Sequence, residues 1–186
     1  TPEEGLAGSG TVSGNGVYGR FAVSASELSC SGAVGTSSAC DGAVTVTATN
    51  GSVVLGSTLF SITGVDASAF SIGNETPDAC SAGQTLHTGE SCTLGPITFS
   101  PTKVGTHSAT ITVTPEKGQA GSASLSGDGY TYGWKAGEWN AWDSTCSASA
   151  TRTRDVYCER SDGTMVADDK CDAASRPVDS ETAEIL

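Results

Sequence analysis

VTVTATN, residues 44–50, begins the stretch that decides the fold, Val44–Val113. After a loop, the stretch continues with TLFSITG at residues 58–64, AFSI at 69–72 and ITFSPTKVGTHSATITVT at 97–114. Apolar residues alternate with Thr and Ser at Val44, Val46, Ala48, Phe60, Ile62, Ile97, Phe99, Ala109, Ile111 and Val113. This is the period of strands that bury one face. Turn residues recur about every ten positions, which is typical of two packed antiparallel sheets. The sequence therefore predicts an all-β sandwich.

Composition limits what such a protein can bind. The chain has 186 residues, 24 of them Gly, and a net charge of −12. Its isoelectric point is near 4.3. An acidic surface repels phosphate backbones, so nucleic acid is not expected as a partner. No window of about twenty apolar residues exists, so we expect no membrane span.

The seven cysteines indicate an oxidising compartment. Three pairs lie close in the sequence on either side of Gly- and Ser-rich turns: Cys30 and Cys40, Cys80 and Cys92, Cys158 and Cys171. This spacing favours local disulfides over free thiols or a metal site, because no Cys-x-x-Cys or Cys/His cluster is present. No basic-then-apolar leader follows Thr1, so we expect an exported protein whose signal peptide has been removed.

The first 27 residues are rich in Gly, which predicts a flexible arm or an edge strand. Residues 18–24 alternate as a short strand would. An edge strand of this kind could also be contributed to a neighbouring subunit.

Residues 28–129 carry a recognisable set of motifs. These are VGTSSA, VTVTATNGS, SITGVDASAFSI, the bracket CSAGQTLHTGESC, ITFSPTKVGTHSATITV and the closing LSGDG. The set resembles the bacterial choice-of-anchor D domains, relatives of the ASPM/SPD-2/hydin immunoglobulin-like family. The resemblance implies an immunoglobulin-like sandwich of exported structural or adhesive proteins, without catalytic residues.

The composition changes at Tyr130. Trp134, Trp139 and Trp142 are followed by Arg152 and Arg154, two positions apart. Residues two apart on a strand share a face, so both guanidinium groups can lie between indole rings. A segment of about fifty residues buries too little apolar surface to fold without such stacking and disulfides.

Residues 130–186 contain the motifs WxxW, WxxxCS and RxRxVxC, the SDGT turn, and Cys171 followed by Arg-Pro. This set resembles the thrombospondin type 1 repeat. The resemblance implies a thin three-stranded, non-enzymatic adhesive module, in which Cys158 and Cys171 close a hairpin. Ala150 and Ala183 stand near positions where the family has cysteines, which leaves Cys146 as a free thiol or an intermolecular link.

The sequence predicts no catalytic residue, metal ligand or cofactor. His87 and His107 are isolated and are interpreted as surface or structural residues. From Tyr130 onward there are six Lys and Arg against eleven Asp and Glu, a net charge of −5. A polyanion such as heparin is therefore not expected as a ligand.

These observations predict an exported bacterial surface protein with structural or adhesive function, such as a subunit of an extracellular filament or pilus-like appendage. The expected partners are further copies of the chain, a separate helical pilin-like subunit or a cell-surface ligand. The alternative is a substrate-docking accessory region of a larger secreted hydrolase. A carbohydrate-binding module is a third interpretation, but it would require exposed tryptophans, whereas these are expected between arginines.

Overall fold

The structure is a computed structural model that describes residues 18–73, 77–144 and 148–184. Among these residues there are sixteen β-strands and three single-turn 3₁₀ helices. The all-β prediction is confirmed: a β-sandwich is followed by a small module of short strands.

The strands are β1 Arg20–Ser24, β2 Glu27–Ala33, β3 Ser38–Ala39, β4 Val44–Asn50, β5 Val53–Thr63, β6 Phe70–Ile72, β7 Thr85–Leu86, β8 Ser91–Leu94, β9 Ile97–Phe99, β10 Gly105–Pro115, β11 Gly121–Tyr130, β12 Tyr132–Ala136, β13 Ser149–Thr153, β14 Val156–Arg160, β15 Met165–Val166 and β16 Ser180–Glu184. The 3₁₀ helices are Ala67–Ala69, Asp168–Lys170 and Ala173–Ser175.

The sandwich is built from three sets of paired strands. The largest has the order β2-β11-β10-β5-β7, and the others have the orders β1-β4-β8 and β3-β9-β6. One core of buried side chains lies among them and is drawn from residues 28–125. At its centre Phe99 is fully buried against Phe70, with the ring centroids 5.1 Å apart.

The predicted alternation describes which side chains are buried. Val44, Val46 and Ala48 are at most 1% exposed, and the alternating residues of β9 and β10 are buried as well. Phe60 and Ile62 point toward the same core but remain half-buried, because β5 lies near the edge of its sheet.

Two details of the sandwich differ from the sequence-based prediction. The loop expected before TLFSITG is only a turn at residues 51–52, and β5 already begins at Val53. The apolar run VVL does not alternate, which hid the strand. In addition, β2 pairs with β11 in parallel, so the large sheet is mixed and not purely antiparallel.

The predicted N-terminal edge strand lies within the sandwich of its own chain. β1 pairs with β4 in antiparallel fashion, and Phe21 and Val23 turn their side chains toward the core. Residues 1–17 of the predicted arm lie outside the described part of the chain.

The carboxy-terminal strands form two small sheets, β12-β14-β15 and β13-β16. Only Thr131 separates the end of β11 from the start of β12. The predicted domain boundaries stay a prediction, since strand pairing alone does not divide the chain.

Candidate functional site: the tryptophan and arginine stack

The backbone of residues 137–143 lies alongside β13 and carries two of the three tryptophans. The Asn140 N–H donates to the Thr153 carbonyl at 2.8 Å, and the Asp143 N–H donates to the Thr151 carbonyl at 2.9 Å. The Asp143 carboxylate accepts a further hydrogen bond from the Thr151 N–H at 2.8 Å. These hydrogen bonds fix the position of Trp139 and Trp142 along β13, and therefore which side chains of β13 they can contact.

Arg152 and Arg154 stack on the two tryptophans of this segment. The Arg152 guanidinium carbon lies 4.7 Å from the centroid of Trp142 and 5.0 Å from that of Trp139. The Arg154 guanidinium carbon lies 4.4 Å from the centroid of Trp139. The indole of Trp139 therefore faces two guanidinium groups, and each contact is within cation–π range.

Trp134 stacks on an arginine that sequence reasoning did not select. The guanidinium over its ring belongs to Arg176, at 5.4 Å from the centroid, and the indole Nε1–H donates to the Asp172 carbonyl at 2.8 Å. These partners follow Trp134 by about forty residues, so no local spacing indicates the pairing. We refer to the three tryptophans with Arg152, Arg154 and Arg176 as the Trp–Arg stack.

Most of the positive charges of this region are already engaged within the chain. Four cations form ion pairs with carboxylates: Lys135 with Glu159, Arg152 with Glu181, Arg160 with Asp162 and Arg176 with Asp179. Arg154, besides its stacking contact, donates from Nε to the Val178 carbonyl at 2.8 Å. Five of the six Lys and Arg residues beyond Tyr130 therefore have an internal partner. Such exposed pairs add little stability individually, but they neutralise the surface that a polyanion would need.

A second stacking cluster lies where β11 passes into β12. The Arg160 guanidinium carbon lies 4.8 Å from the centroid of Tyr130, whose ring also meets Tyr132 edge-on at 5.3 Å. The Thr131 N–H donates to Ser161 Oγ at 3.2 Å, and the Ser161 N–H donates to the Thr131 carbonyl at 2.9 Å. The SDGT turn is thereby tied to the single residue that joins the two regions.

The carboxyl group of Asp162 in that turn is strongly stabilised in its ionised form. The hydrogen bond from Arg160 lowers its pKa far below the ordinary value of 3.8, and the Thr164 N–H lowers it further. The pKa of Asp179 is lowered by Arg176, and the pKa of Asp66 is lowered by the Ser108 N–H and by Lys103.

These shifts predict a loss of stability in acid. Because the pKa of Asp162 is lower in the folded state, its stabilising effect is complete above the unfolded value of about 4 and declines as pH falls through the folded value. Asp162→Asn should therefore unfold at a lower temperature than the parent at pH 7, and the difference should shrink steadily below pH 4. Calorimetry at pH 7, 4 and 2 measures this. A difference that stayed constant down to pH 2 would contradict the assignment.

The structure forms three disulfides among the described cysteines. They join Cys30 to Cys40, Cys80 to Cys92 and Cys158 to Cys171. The first two belong to the sandwich core, and the third links β14 to the residue that follows the 3₁₀ helix Asp168–Lys170. Cys146 lies outside the described residues, so its predicted role stays a prediction.

Ala150 and Ala183, noted above as standing near cysteine positions of the family, face each other across β13 and β16. Ala150 is only 2% exposed. Two small apolar side chains thus meet at this point of the sheet.

The two histidines differ in environment. His107 is 2% exposed, packs edge-on against Phe99 at 5.2 Å between ring centroids, and donates from Nδ1 to the Gly105 carbonyl at 3.0 Å. His87 is exposed and contacts the Ser52 hydroxyl at 3.0 Å. Each histidine thus has a hydrogen-bonding partner within the sandwich.

The described residues form neither a metal-binding cluster nor a membrane-spanning helix. Within residues 18–73, 77–144 and 148–184, no group of three or more His, Cys, Asp or Glu side chains is placed to hold a metal ion. Over the same ranges, no helix has the length and apolar character required to cross a membrane.

Comparison with known families identifies the carboxy-terminal region. Residues 134–184 match the model of the thrombospondin type 1 domain, so the thrombospondin part of the sequence-based resemblance is confirmed. The match begins at the first tryptophan of the Trp–Arg stack and spans its arginines. No curated protein matches the chain.

Two solved structures show limited similarity to the chain. The Vibrio cholerae VesB protease is 15% identical with a TM-score of 0.38, over 59% of this chain and 31% of the protease chain. A family 123 glycoside hydrolase from Clostridium perfringens is 12% identical with a TM-score of 0.38, over 60% of this chain and 27% of the hydrolase chain. Similarity at this level does not support a conclusion about activity.

Proposed function

We propose that this chain is a non-catalytic structural component of an exported bacterial protein, and that it serves as a subunit of an extracellular filament or pilus-like appendage. The observation that carries the proposal is the thrombospondin type 1 domain at residues 134–184, which is typical of extracellular adhesive or structural modules. The three disulfides agree with an oxidising, extracellular location.

The charges of the domain favour protein partners. Its arginines are stacked on aromatic rings or paired with carboxylates, and its net charge is negative. A sulfated glycan or nucleic acid would meet repulsion at this surface. Association with other proteins, including further copies of the chain or a helical pilin-like subunit, avoids that repulsion where the contact surfaces carry no charge.

The bacterial assignment rests on the resemblance of residues 28–129 to the choice-of-anchor D domains, which stays a prediction. The continuity of β11 and β12 supports a structural role, because only Thr131 separates the strands and the SDGT turn is hydrogen-bonded to it. A short, hydrogen-bonded connection of this kind restricts movement between the two regions, which suits a structural component of an assembly.

Light scattering and electron microscopy of the purified chain under non-reducing conditions test this proposal. We expect fibres or a regular oligomer whose mass is a multiple of 18.6 kDa. A monodisperse monomer at every concentration would overturn self-assembly by this chain alone, and would leave only assembly with a different subunit.

A further inference from the structure

Among the described residues, one strand edge of the sandwich has no partner strand over most of its length. β7 pairs with β5 only at Val53 and Val54, and Leu55 then exchanges backbone hydrogen bonds with Gln84 and Gly83. Beyond Leu55, in the part of the chain that the structure describes, no strand pairs with the outer side of β5. We call residues 57–63 the β5 edge.

The sequence of the β5 edge lacks the usual protection of exposed strands. It reads STLFSIT, without a charge, a Pro or a Gly. Natural sheet edges are normally shortened, or interrupted by charged residues, to prevent pairing with other chains. Other edges of this sandwich follow that rule: β1 carries Arg20, β2 carries Glu27, and β7 has only two residues.

The side chains beside the β5 edge are also incompletely covered. Leu59, Phe60, Ile62 and Ile72 pack against the core but remain partly exposed. An open groove of about 460 Å³ lies along them, lined by Leu59, Phe60, Ile72 and the Cys80 region. A strand added at this edge would satisfy the outer backbone groups of β5 and cover these side chains in one step.

The distribution of charge favours a second copy of this chain as the partner of the β5 edge. The chain has a net charge of −12, so two copies repel each other over most of their surfaces. The β5 edge presents seven uncharged residues, and Asp66, the first acidic residue after it, is neutralised by Lys103 at 3.1 Å. Two such edges can therefore meet with no charged side chain of residues 57–63 on either copy, and the same seven residues can pair with themselves in antiparallel fashion.

We propose that the β5 edge is the contact through which two copies of this chain pair in antiparallel fashion, joining their large sheets across a two-fold axis. The inference rests on the proposed assembly function and names its partner. The seven residues of the β5 edge are far fewer than the roughly 20–30 residues that each partner contributes to a standard interface. Association is therefore expected to be weak between isolated pairs.

The test compares the same substitution on an open and on a paired strand. Ser61→Lys places a positive charge on the β5 edge. In the proposed pair, the substituted side chains of the two copies would lie close together and repel each other. Ser124→Lys is the control, because Ser124 is also exposed but lies on β11, which is paired on both sides. Sedimentation equilibrium between roughly 10 μM and 1 mM brackets the weak association expected of a small interface.

We expect the parent chain to self-associate, Ser61→Lys to raise the dissociation constant about tenfold or more, and Ser124→Lys to leave it unchanged. Thermal unfolding verifies that each variant folds. If Ser61→Lys does not fold, Thr63→Lys replaces it, since Thr63 is exposed on the same edge.

The outcomes separate this inference from the proposed function. If the parent forms fibres or oligomers that Ser61→Lys does not weaken, self-assembly stands and the β5 edge is overturned as its contact. If both Lys variants weaken association equally, the effect is one of general charge, and the inference is again overturned. A parent that stays monomeric to 1 mM overturns the inference, while filament formation with a different subunit is still testable.

Discussion

Replacing Cys158 and Cys171 together by Ala is expected to lower the free energy of unfolding of the thrombospondin type 1 domain by about 3 kcal/mol, the value for a loop of this size. The two cysteines are thirteen positions apart, and Cys158 is fully buried. A domain of about fifty residues has a small free energy of unfolding, so we expect the variant to lose cooperative folding near about 37 °C.

Tryptophan fluorescence isolates this effect. All three tryptophans of the chain lie at residues 134–142, so their emission reports on the thrombospondin type 1 domain and not on the sandwich. The matched control replaces Cys30 and Cys40 by Ala, which removes a disulfide of the sandwich and should leave the fluorescence midpoint in place. A fluorescence transition that was unmoved by the loss of Cys158 and Cys171 would show that this disulfide does not hold the domain.

Arg152→Ala is expected to destabilise the same domain by about 1–2 kcal/mol, because its guanidinium contacts two indole rings and each such contact contributes about 0.5–1 kcal/mol at a partly exposed site. Arg154 contacts only Trp139, so Arg154→Ala should cost less through stacking. Urea unfolding followed by tryptophan fluorescence measures both changes.

Lys170→Ala is the control for this series, because it also removes one positive charge from an exposed position of the domain. We expect its effect on the unfolding free energy to lie within about 0.5 kcal/mol of zero. Equal losses from Lys170→Ala and Arg152→Ala would mean that net charge, and not stacking, determines the stability of the domain.

The sequence predicted the buried face of the sandwich well, because alternation is a local signal. Val44, Val46 and Phe99 could be assigned to the core from their neighbours alone. The start of β5 at Val53 could not, since a short continuous apolar run fits several structures. The parallel pairing of β2 with β11 depends on residues about a hundred positions apart, for which one sequence carries no pattern.

The contacts of the Trp–Arg stack, too, could be predicted only in part from the sequence. The sequence predicted that Arg152 and Arg154 lie between the indole rings, because residues two apart on a strand share a face. It assigned Trp134 to the same ladder, whereas Trp134 contacts Arg176. Arg176 contacts Trp134, and Arg160 contacts Tyr130, only because the fold brings together residues that are distant in the sequence. Their sequence separation leaves no spacing rule that would have indicated them.

The sandwich and the thrombospondin type 1 domain would make different contacts within the proposed assembly. The β5 edge is uncharged and unpaired among the described residues, whereas five of the six Lys and Arg residues beyond Tyr130 are engaged internally. Pairing of two copies through the sandwich would leave the second domain of each copy free for a further contact within an assembly. Its acidic surface would then face solvent or a cationic protein partner.

Stacked tryptophan and arginine side chains are expected to stabilise the thrombospondin type 1 domain in place of a larger core. A double-mutant cycle of Arg152→Ala and Trp142→Leu, followed by urea unfolding, measures the coupling between the two side chains. We predict a coupling free energy of about 0.5–1 kcal/mol in favour of the stacked pair. Additive losses, with a coupling free energy of zero, would mean that the stacking of Arg152 on Trp142 does not stabilise the domain.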